Sequence, residues 1–108
     1  DKGKRPIMGR IGGELADLCI LTSDNPRTED PMEILREIEE GIKETTGEYV
    51  VIENRRDAIR HALEIGREGD IIVLCGKGHE TYQETMGVKR PFDEKVVVQE
   101  LLTELRSE

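Results

Sequence analysis

The sequence is poor in aromatic residues, with one Phe, two Tyr and no Trp among 108 residues. Its core must therefore be built from aliphatic side chains, and a chain of this length supports a single core of modest size. Hydrophobic residues make up 35% of the chain and charged residues 37%. The length excludes a two-lobed enzyme, and the composition indicates one domain with a thin core.

Positive charge and long apolar runs are also lacking. The 16 Lys and Arg are outnumbered by 24 Asp and Glu, which gives a net charge of -8. Nucleic acids and anionic membranes bind broad cationic surfaces, and a bilayer-spanning helix needs roughly 20 apolar residues. We therefore predict no nucleic-acid partner and no membrane partner. The polar start without Met or signal-peptide features predicts a segment of a longer chain.

Cysteine is scarce, and its spacing is uninformative for metal binding. Cys19 and Cys75 lie in separate apolar runs, with no CxxC pattern and no His or Cys at metal-ligand spacing. Such cysteines are typical of reduced thiols in a core. The prediction is a cytoplasmic protein without a metal site.

Apolar runs alternate with helical patterns along the chain. Runs typical of strands covered on both faces occupy residues 18–21, 49–52 and 71–75. Helix starts are indicated by Pro6, Asp30 with Pro31, Asn54 or Arg55, and Asp93. A polar stretch runs through Gly87 to Pro91 before the last helix. The alternation predicts a three-layer α/β fold with a mainly parallel sheet and helices on both sides.

Two polar loops follow predicted strands at the same edge of this sheet. They are residues 23–27, after the first strand, and residues 76–80, after the third. Ligands of open α/β sheets bind outside the carboxyl ends of the strands. We therefore expect the two loops to share one site.

Arg27 is the candidate for an anion contact in the first loop. It follows a proline and precedes a capped helix, so its guanidinium has a stiff base for a bidentate contact with a carboxylate. The alternative is that Arg27 pairs with Glu29 or Asp30, or points into water. Asp24 and Asn25 have an equally plain alternative, since such residues often bond their own backbone.

The second loop offers groups for a cation. Its glycines let the backbone approach a ligand and leave carbonyls free to accept from an ammonium, and Glu80 could balance the charge, although a structural turn is an alternative. Neither a Walker nor a GxGxxG pattern is complete, so the loop alone does not predict nucleotide binding. His79 could act as a base, but no Ser or Cys nucleophile stands at a suitable spacing, and a hydrogen-bonding or exposed role is the alternative.

Several motifs occur together in a fixed order. They are Asp1-Lys2-Gly3-Lys4-Arg5-Pro6, Met8-Gly9, Asp24-Asn25-Pro26-Arg27 with Thr28-Glu29-Asp30-Pro31, and Gly76-Lys77-Gly78-His79-Glu80 with Tyr82-Gln83. In this order the chain resembles the Mur ligase family, in particular its meso-diaminopimelate-adding members. The resemblance covers essentially the whole chain.

The resemblance implies a three-domain cytoplasmic enzyme of peptidoglycan synthesis. Residues 1–108 then form most of its Rossmann-like carboxy-terminal domain, without a first strand and an arginine that the family places just ahead of Asp1. The amino-terminal domain would bind UDP-MurNAc-L-Ala-D-Glu. ATP and Mg²⁺ would be bound mainly by the central ATPase domain, so no cofactor is expected for this chain alone and no catalytic residue lies in it. The isolated chain is therefore expected to be inactive.

The resemblance also implies roles for the two loops. Asn25 and Arg27 would hold the far carboxylate of meso-diaminopimelate, with Asp24 and Pro26 as members of the same substrate-binding motif. The far ammonium would be bound by the Gly76 carbonyl and Glu80.

Lys77 and His79 match the motif of the second loop, and the resemblance implies supporting roles for them. Two other functions stay open at this point. One is a stand-alone Mur-like module that binds a zwitterion without chemistry. The other is a related ligase that uses L-lysine or another amino acid.

Overall fold

The computed structural model describes residues 2–76 and 80–108. A 3-10 turn at Lys2–Lys4 is followed by helices α1 (Arg5–Leu15), α2 (Pro31–Ile42), α3 (Arg55–Ile65) and α4 (Glu94–Ser107). The strands are β1 (Leu18–Leu21), β2 (Glu48–Val51), β3 (Tyr82–Thr85) and β4 (Val88–Pro91). The four predicted helices and the first two predicted strands are confirmed.

Three helices begin at the residues that the sequence indicates. The capping side chains accept from backbone N–H groups within the first turn: Asp30 from Met32 at 2.9 Å, Asn54 from Asp57 at 3.0 Å, and Asp93 from Lys95 at 3.1 Å. Each cap satisfies a donor that the helix itself cannot pair. These helix starts are therefore fixed by local chemistry.

The strands β1 and β2 form a parallel pair, in register from Leu18 opposite Glu48 to Leu21 opposite Val51. One face of the pair packs on α2 around the buried side chains of Leu21, Leu35 and Ile42. A parallel pair needs a crossover, and α2 supplies it. The predicted α/β class is confirmed by this arrangement.

Helices α1 and α2 approach so closely that glycine is required where they touch. A Cβ on Gly41 would lie 1.7 Å from the Pro6 carbonyl oxygen, and one on Gly9 would lie 2.0 Å from the Ile38 carbonyl oxygen. Both neighbours are backbone atoms, which cannot move aside as a flexible side chain can. The glycines that weaken the helices locally therefore permit their packing.

The predicted third strand is wrong for the described residues. Residues 71–75 have no regular secondary structure, and β1 is paired on one side only, by β2. Ile71 is 88% exposed and Val73 is 72% exposed. A strand exists only when a neighbour accepts and donates its backbone hydrogen bonds, and within residues 2–76 and 80–108 no strand pairs with this segment.

The prediction that both cysteines lie in the core is wrong for one of them. Both thiols are free; Cys19 in β1 is partly buried, whereas Cys75 is exposed. The cause is the unpaired state of residues 71–75, which leaves the end of that segment uncovered.

A second buried cluster lies between α3 and α4, formed by Ile59, Val97 and Leu101. The polar stretch before α4 is an antiparallel hairpin, in register from Tyr82 opposite Pro91 to Thr85 opposite Val88. This hairpin was not predicted from the sequence. In the described part of the chain, every helix falls short of the length and apolarity that crossing a bilayer requires.

Candidate functional site

The two polar loops meet, as the predicted sheet edge requires. Asn25 Nδ2 donates to Glu80 Oε1 at 3.4 Å, although the two residues are 55 positions apart in the chain. Gly76 has a φ of +107°, and a Cβ there would lie 3.0 Å from Asp24 Oδ2. The side chains of the first loop thus lie directly against the second loop.

The backbone of Arg27 is held on both sides by the hairpin. Its N–H donates to the Glu84 carbonyl at 2.8 Å, and its carbonyl accepts from the Gly87 N–H at 3.0 Å. Its φ is +59°, the left-handed region that costs a non-glycine residue roughly 1–2 kcal/mol. Such strained backbone persists where the surroundings hold it, and it is concentrated at functional sites.

The Arg27 side chain remains accessible. It is 60% exposed, and its Nη1 lies 3.6 Å from Glu84 Oε1, which is beyond hydrogen-bond length. The acids considered from the sequence are engaged elsewhere: Glu29 pairs with Arg5 at 2.7 Å, and Asp30 caps α2. The guanidinium is therefore oriented by one acid but is not enclosed by it.

The hairpin anchors the rest of the first loop, a role that sequence analysis missed. Gln83 Nε2 donates to the Asp24 carbonyl at 2.8 Å, and the Glu84 N–H donates to Asn25 Oδ1 at 2.6 Å. Asn25 thus bonds the hairpin rather than its own backbone. The available signal in the sequence was Gly87 between two polar segments. In the structure, Met86 and Gly87 both have positive φ, as the central residues of a tight hairpin turn do.

Beneath the loops lies Arg55, which the sequence indicated only as a helix start. Its side chain is 4% exposed. It donates to the carbonyl of Ser23, the first residue of the first loop, at 3.3 Å, and to that of Cys75, the residue before the second loop, at 2.9 Å. Glu94 accepts from Arg55 Nε at 3.0 Å and from its Nη2 at 2.5 Å.

Arg5 fixes the chain on the far side of the first loop. Its guanidinium contacts Glu29 at 2.7 Å and Glu37 at 2.8 Å. The hydrogen bonds that Arg5 donates to Glu29 and, next in size, to Glu37 raise the pKa of Arg5 above its already high ordinary value. The segment between the loop and α2 is therefore tied to α1.

Two sequence-derived site residues, Lys77 and His79, lie outside the described residues. Asp24, Asn25, Pro26, Arg27, Gly76 and Glu80 all lie in the two loops that meet. Within residues 2–76 and 80–108, no group of three or more His, Cys, Asp or Glu side chains is arranged to hold a metal ion.

Comparison with known families gives a direct match. The sequence model of the Mur ligase, glutamate ligase domain, matches residues 1–78, which is more than half of the 108-residue chain. This chain belongs to that Mur ligase domain family.

Individual relatives are similar over nearly the whole of this chain. The UDP-N-acetylmuramoyl-L-alanyl-D-glutamate--2,6-diaminopimelate ligase of Caldanaerobacter subterraneus is 59% identical over 96% of this chain and 22% of its own length. The ligase of the same name from Clostridium botulinum is 52% identical over 97% of this chain and 21% of its own length. The chain therefore spans about a fifth of the length of these curated relatives.

A solved structure of a ligase with that name matches this chain with a TM-score of 0.91 and 43% identity. The match covers 98% of this chain and 22% of the solved one. The Rossmann-like fold implied by the sequence resemblance is thereby confirmed for this Mur ligase domain.

Proposed function

We propose that this chain is the amino-acid-binding domain of an ATP-dependent ligase that adds meso-diaminopimelate to UDP-MurNAc-L-Ala-D-Glu in peptidoglycan synthesis. The observation that carries the proposal is the contact between Asn25 and Glu80, because it joins the loop of Arg27 to a carboxylate distant in sequence. One edge of the domain thus presents a cation and an anion. This pairing suits the distal carboxylate and ammonium of diaminopimelate.

The cationic end of the proposed site is Arg27. Its exposed guanidinium has five N–H donors, so it can bind a substrate carboxylate bidentately while Glu84 stays near its other edge. Lysine lacks this carboxylate, and a desolvated guanidinium without a partner is costly. Sites built on such polar partners discriminate by about 10⁴. Arg27 is therefore the proposed determinant of diaminopimelate over lysine.

The anionic end is Glu80 with the Gly76 carbonyl. Glu80 is partly buried and its Oε1 accepts from the Asn25 amide. Gly76 is exposed and has no side chain to cover its carbonyl, so its backbone is accessible to a ligand. An ammonium bound here would be neutralised by Glu80.

The domain's contribution to the reaction is the positioning of the incoming amine. In the proposed reaction that amine attacks an activated D-Glu carboxylate, and phosphate leaves as the new amide forms. ATP, with Mg²⁺, supplies the activation, and both are assigned to other parts of the ligase because this sequence lacks a Walker pattern. The chain alone is expected to release no phosphate. Its free thiols suit a reducing compartment, and we place the ligase in the cytoplasm.

The test is calorimetry of meso-diaminopimelate binding to the complete ligase, meaning the full reading frame that contains this chain. Replacing Arg27 by Ala is expected to weaken binding about 10- to 100-fold, since a hydrogen bond to a charged group contributes about 1.5–3 kcal/mol. The matched control is Arg36→Ala, an exposed arginine in α2 that pairs with Glu33 of the same helix. Unchanged affinity for Arg27→Ala, or no binding by the unaltered ligase, would contradict the proposal.

A further inference from the structure

We infer that Arg55 is a positioning residue that sets the distance between the two substrate loops, and through it the ligase's affinity for diaminopimelate. The inference rests on the proposed function above. Arg55 itself is 4% exposed and lies beneath the loops, so it acts through the backbone that it holds.

The hydrogen bonds of Arg55 end at the start of each loop. Nη1 donates to the carbonyl of Ser23, at 3.3 Å, and Ser23 directly precedes Asp24. Nη2 donates to the carbonyl of Cys75, at 2.9 Å, and Cys75 directly precedes Gly76. One planar, rigid group thus joins both loop starts. Any change in its length or shape alters the spacing of the groups that would grip the two ends of a substrate.

The backbone does not set this spacing by itself. Neighbouring strands in a sheet are held about 4.8 Å apart by their hydrogen-bond ladder. Residues 71–75 form no such ladder with β1 in the described part of the chain. Side chains must therefore take over the task, and the Asn25–Glu80 contact, at 3.4 Å, is near the limit of hydrogen bonding.

Glu94 holds the guanidinium in the required orientation. Its Oε1 accepts from both Nε and Nη2 of Arg55, which leaves Nη1 and the remaining hydrogen of Nη2 directed at the two carbonyls. Replacing a buried ion pair by apolar residues is often neutral for stability. Fold stability alone therefore does not account for a buried arginine here, whereas a bridge between two loops does.

The primary experiment is steady-state kinetics of Arg55→Lys in the complete ligase. A lysine ammonium keeps the charge beside Glu94 but lacks the planar fork that reaches two carbonyls. Because small misplacements of a bound substrate cost up to about 100-fold, we expect the KM for diaminopimelate to rise about 10-fold or more. The KM values for ATP and UDP-MurNAc-L-Ala-D-Glu should stay within about twofold, since those substrates bind elsewhere.

The matched control is Glu94→Gln, which removes the negative charge of the buried pair but keeps an Oε1 that can accept from Arg55, so the guanidinium keeps its orientation and both carbonyl contacts. Its melting temperature should fall, while its KM for diaminopimelate should stay within about threefold of the unaltered value. A second control is Arg56→Lys, the neighbouring residue, which pairs with Glu100 and Glu104 on the exposed side of α3. It should leave all kinetic constants unchanged.

A double variant covers the case in which Arg55→Lys does not fold. Arg55→Met with Glu94→Leu removes both buried charges together, so the fold is expected to be retained while both carbonyl contacts are lost. The same selective rise in KM is expected. A lower kcat with every KM unchanged, or equal KM effects for Glu94→Gln and Arg55→Lys, would overturn the inference. If the unaltered ligase does not use diaminopimelate, the proposed function fails instead.

Discussion

Two apolar regions of this chain differ in burial: one is buried and the other is largely exposed. In the region of α1, β1, α2 and β2, Leu35 is 1% exposed and Ile42 is fully buried at 0%. In residues 71–75, the most apolar stretch of the chain, Ile71 and Val73 are 88% and 72% exposed. The residue types are alike, and the difference lies in the partners. A crossover helix and a paired strand cover the first region, whereas the second is paired with no strand among the described residues.

The proposed site spans the boundary between these regions. The loop of Asn25 and Arg27 extends from the end of β1, and the loop of Gly76 extends from the unpaired segment. The side chain of Arg55 connects the end of one region to the end of the other, and the β3–β4 hairpin anchors the first loop. In the proposed site, side chains therefore set the spacing of the loops where no hydrogen-bond ladder of a sheet does so.

The largest expected effect sharpens the contrast in burial. Replacing Leu35 by Ala should reduce the free energy of unfolding by about 3 kcal/mol, because the buried methyl groups leave a cavity. Replacing Val73 by Ala should change it by no more than about 0.5 kcal/mol, as is usual for exposed positions. Urea unfolding followed by circular dichroism measures both values. Comparable losses would mean that residues 71–75 are covered.

A smaller effect is expected for the two thiols, one in each region. Burial, followed by the neighbouring Cys75, raises the pKa of the Cys19 thiol, so less of the reactive thiolate forms at a given pH. Cys75 is exposed. With iodoacetamide at pH 8, Cys75 should be alkylated about 10-fold faster than Cys19, as followed by peptide mass spectrometry. Equal rates, or faster reaction of Cys19, would contradict the difference in burial between the two thiols.

Helix starts could be predicted from sequence because their causes are local. Asp30, Asn54 and Asp93 each bond an N–H two or three residues away, so a few letters contain the whole interaction. The strand prediction for residues 71–75 was wrong because a strand depends on a neighbour that is often distant in the chain. Apolarity alone indicates that a segment can be buried, and it does not indicate what buries it.

The candidate site likewise combines features that the sequence predicts with features that depend on distant contacts. That residues 23–27 and 76–80 would meet followed from sheet topology, since both were placed at the carboxyl ends of strands. The anchoring by Gln83 and Glu84 was not predictable from the loop sequences, because it crosses about sixty positions. The burial of Arg55 was equally hidden, since its partner Glu94 is 39 residues away. The sequence indicated the candidate residues, and long-range contacts determine how the described ones are held.

The most direct test of the central claim is the ratio of kcat/KM for meso-diaminopimelate to kcat/KM for L-lysine, measured on the complete ligase with and without Arg27→Met. If the Arg27 guanidinium grips the carboxylate that distinguishes the two amino acids, the ratio should fall about 100-fold or more in the variant. An unchanged ratio would contradict the account, because selection would then depend on another part of the ligase.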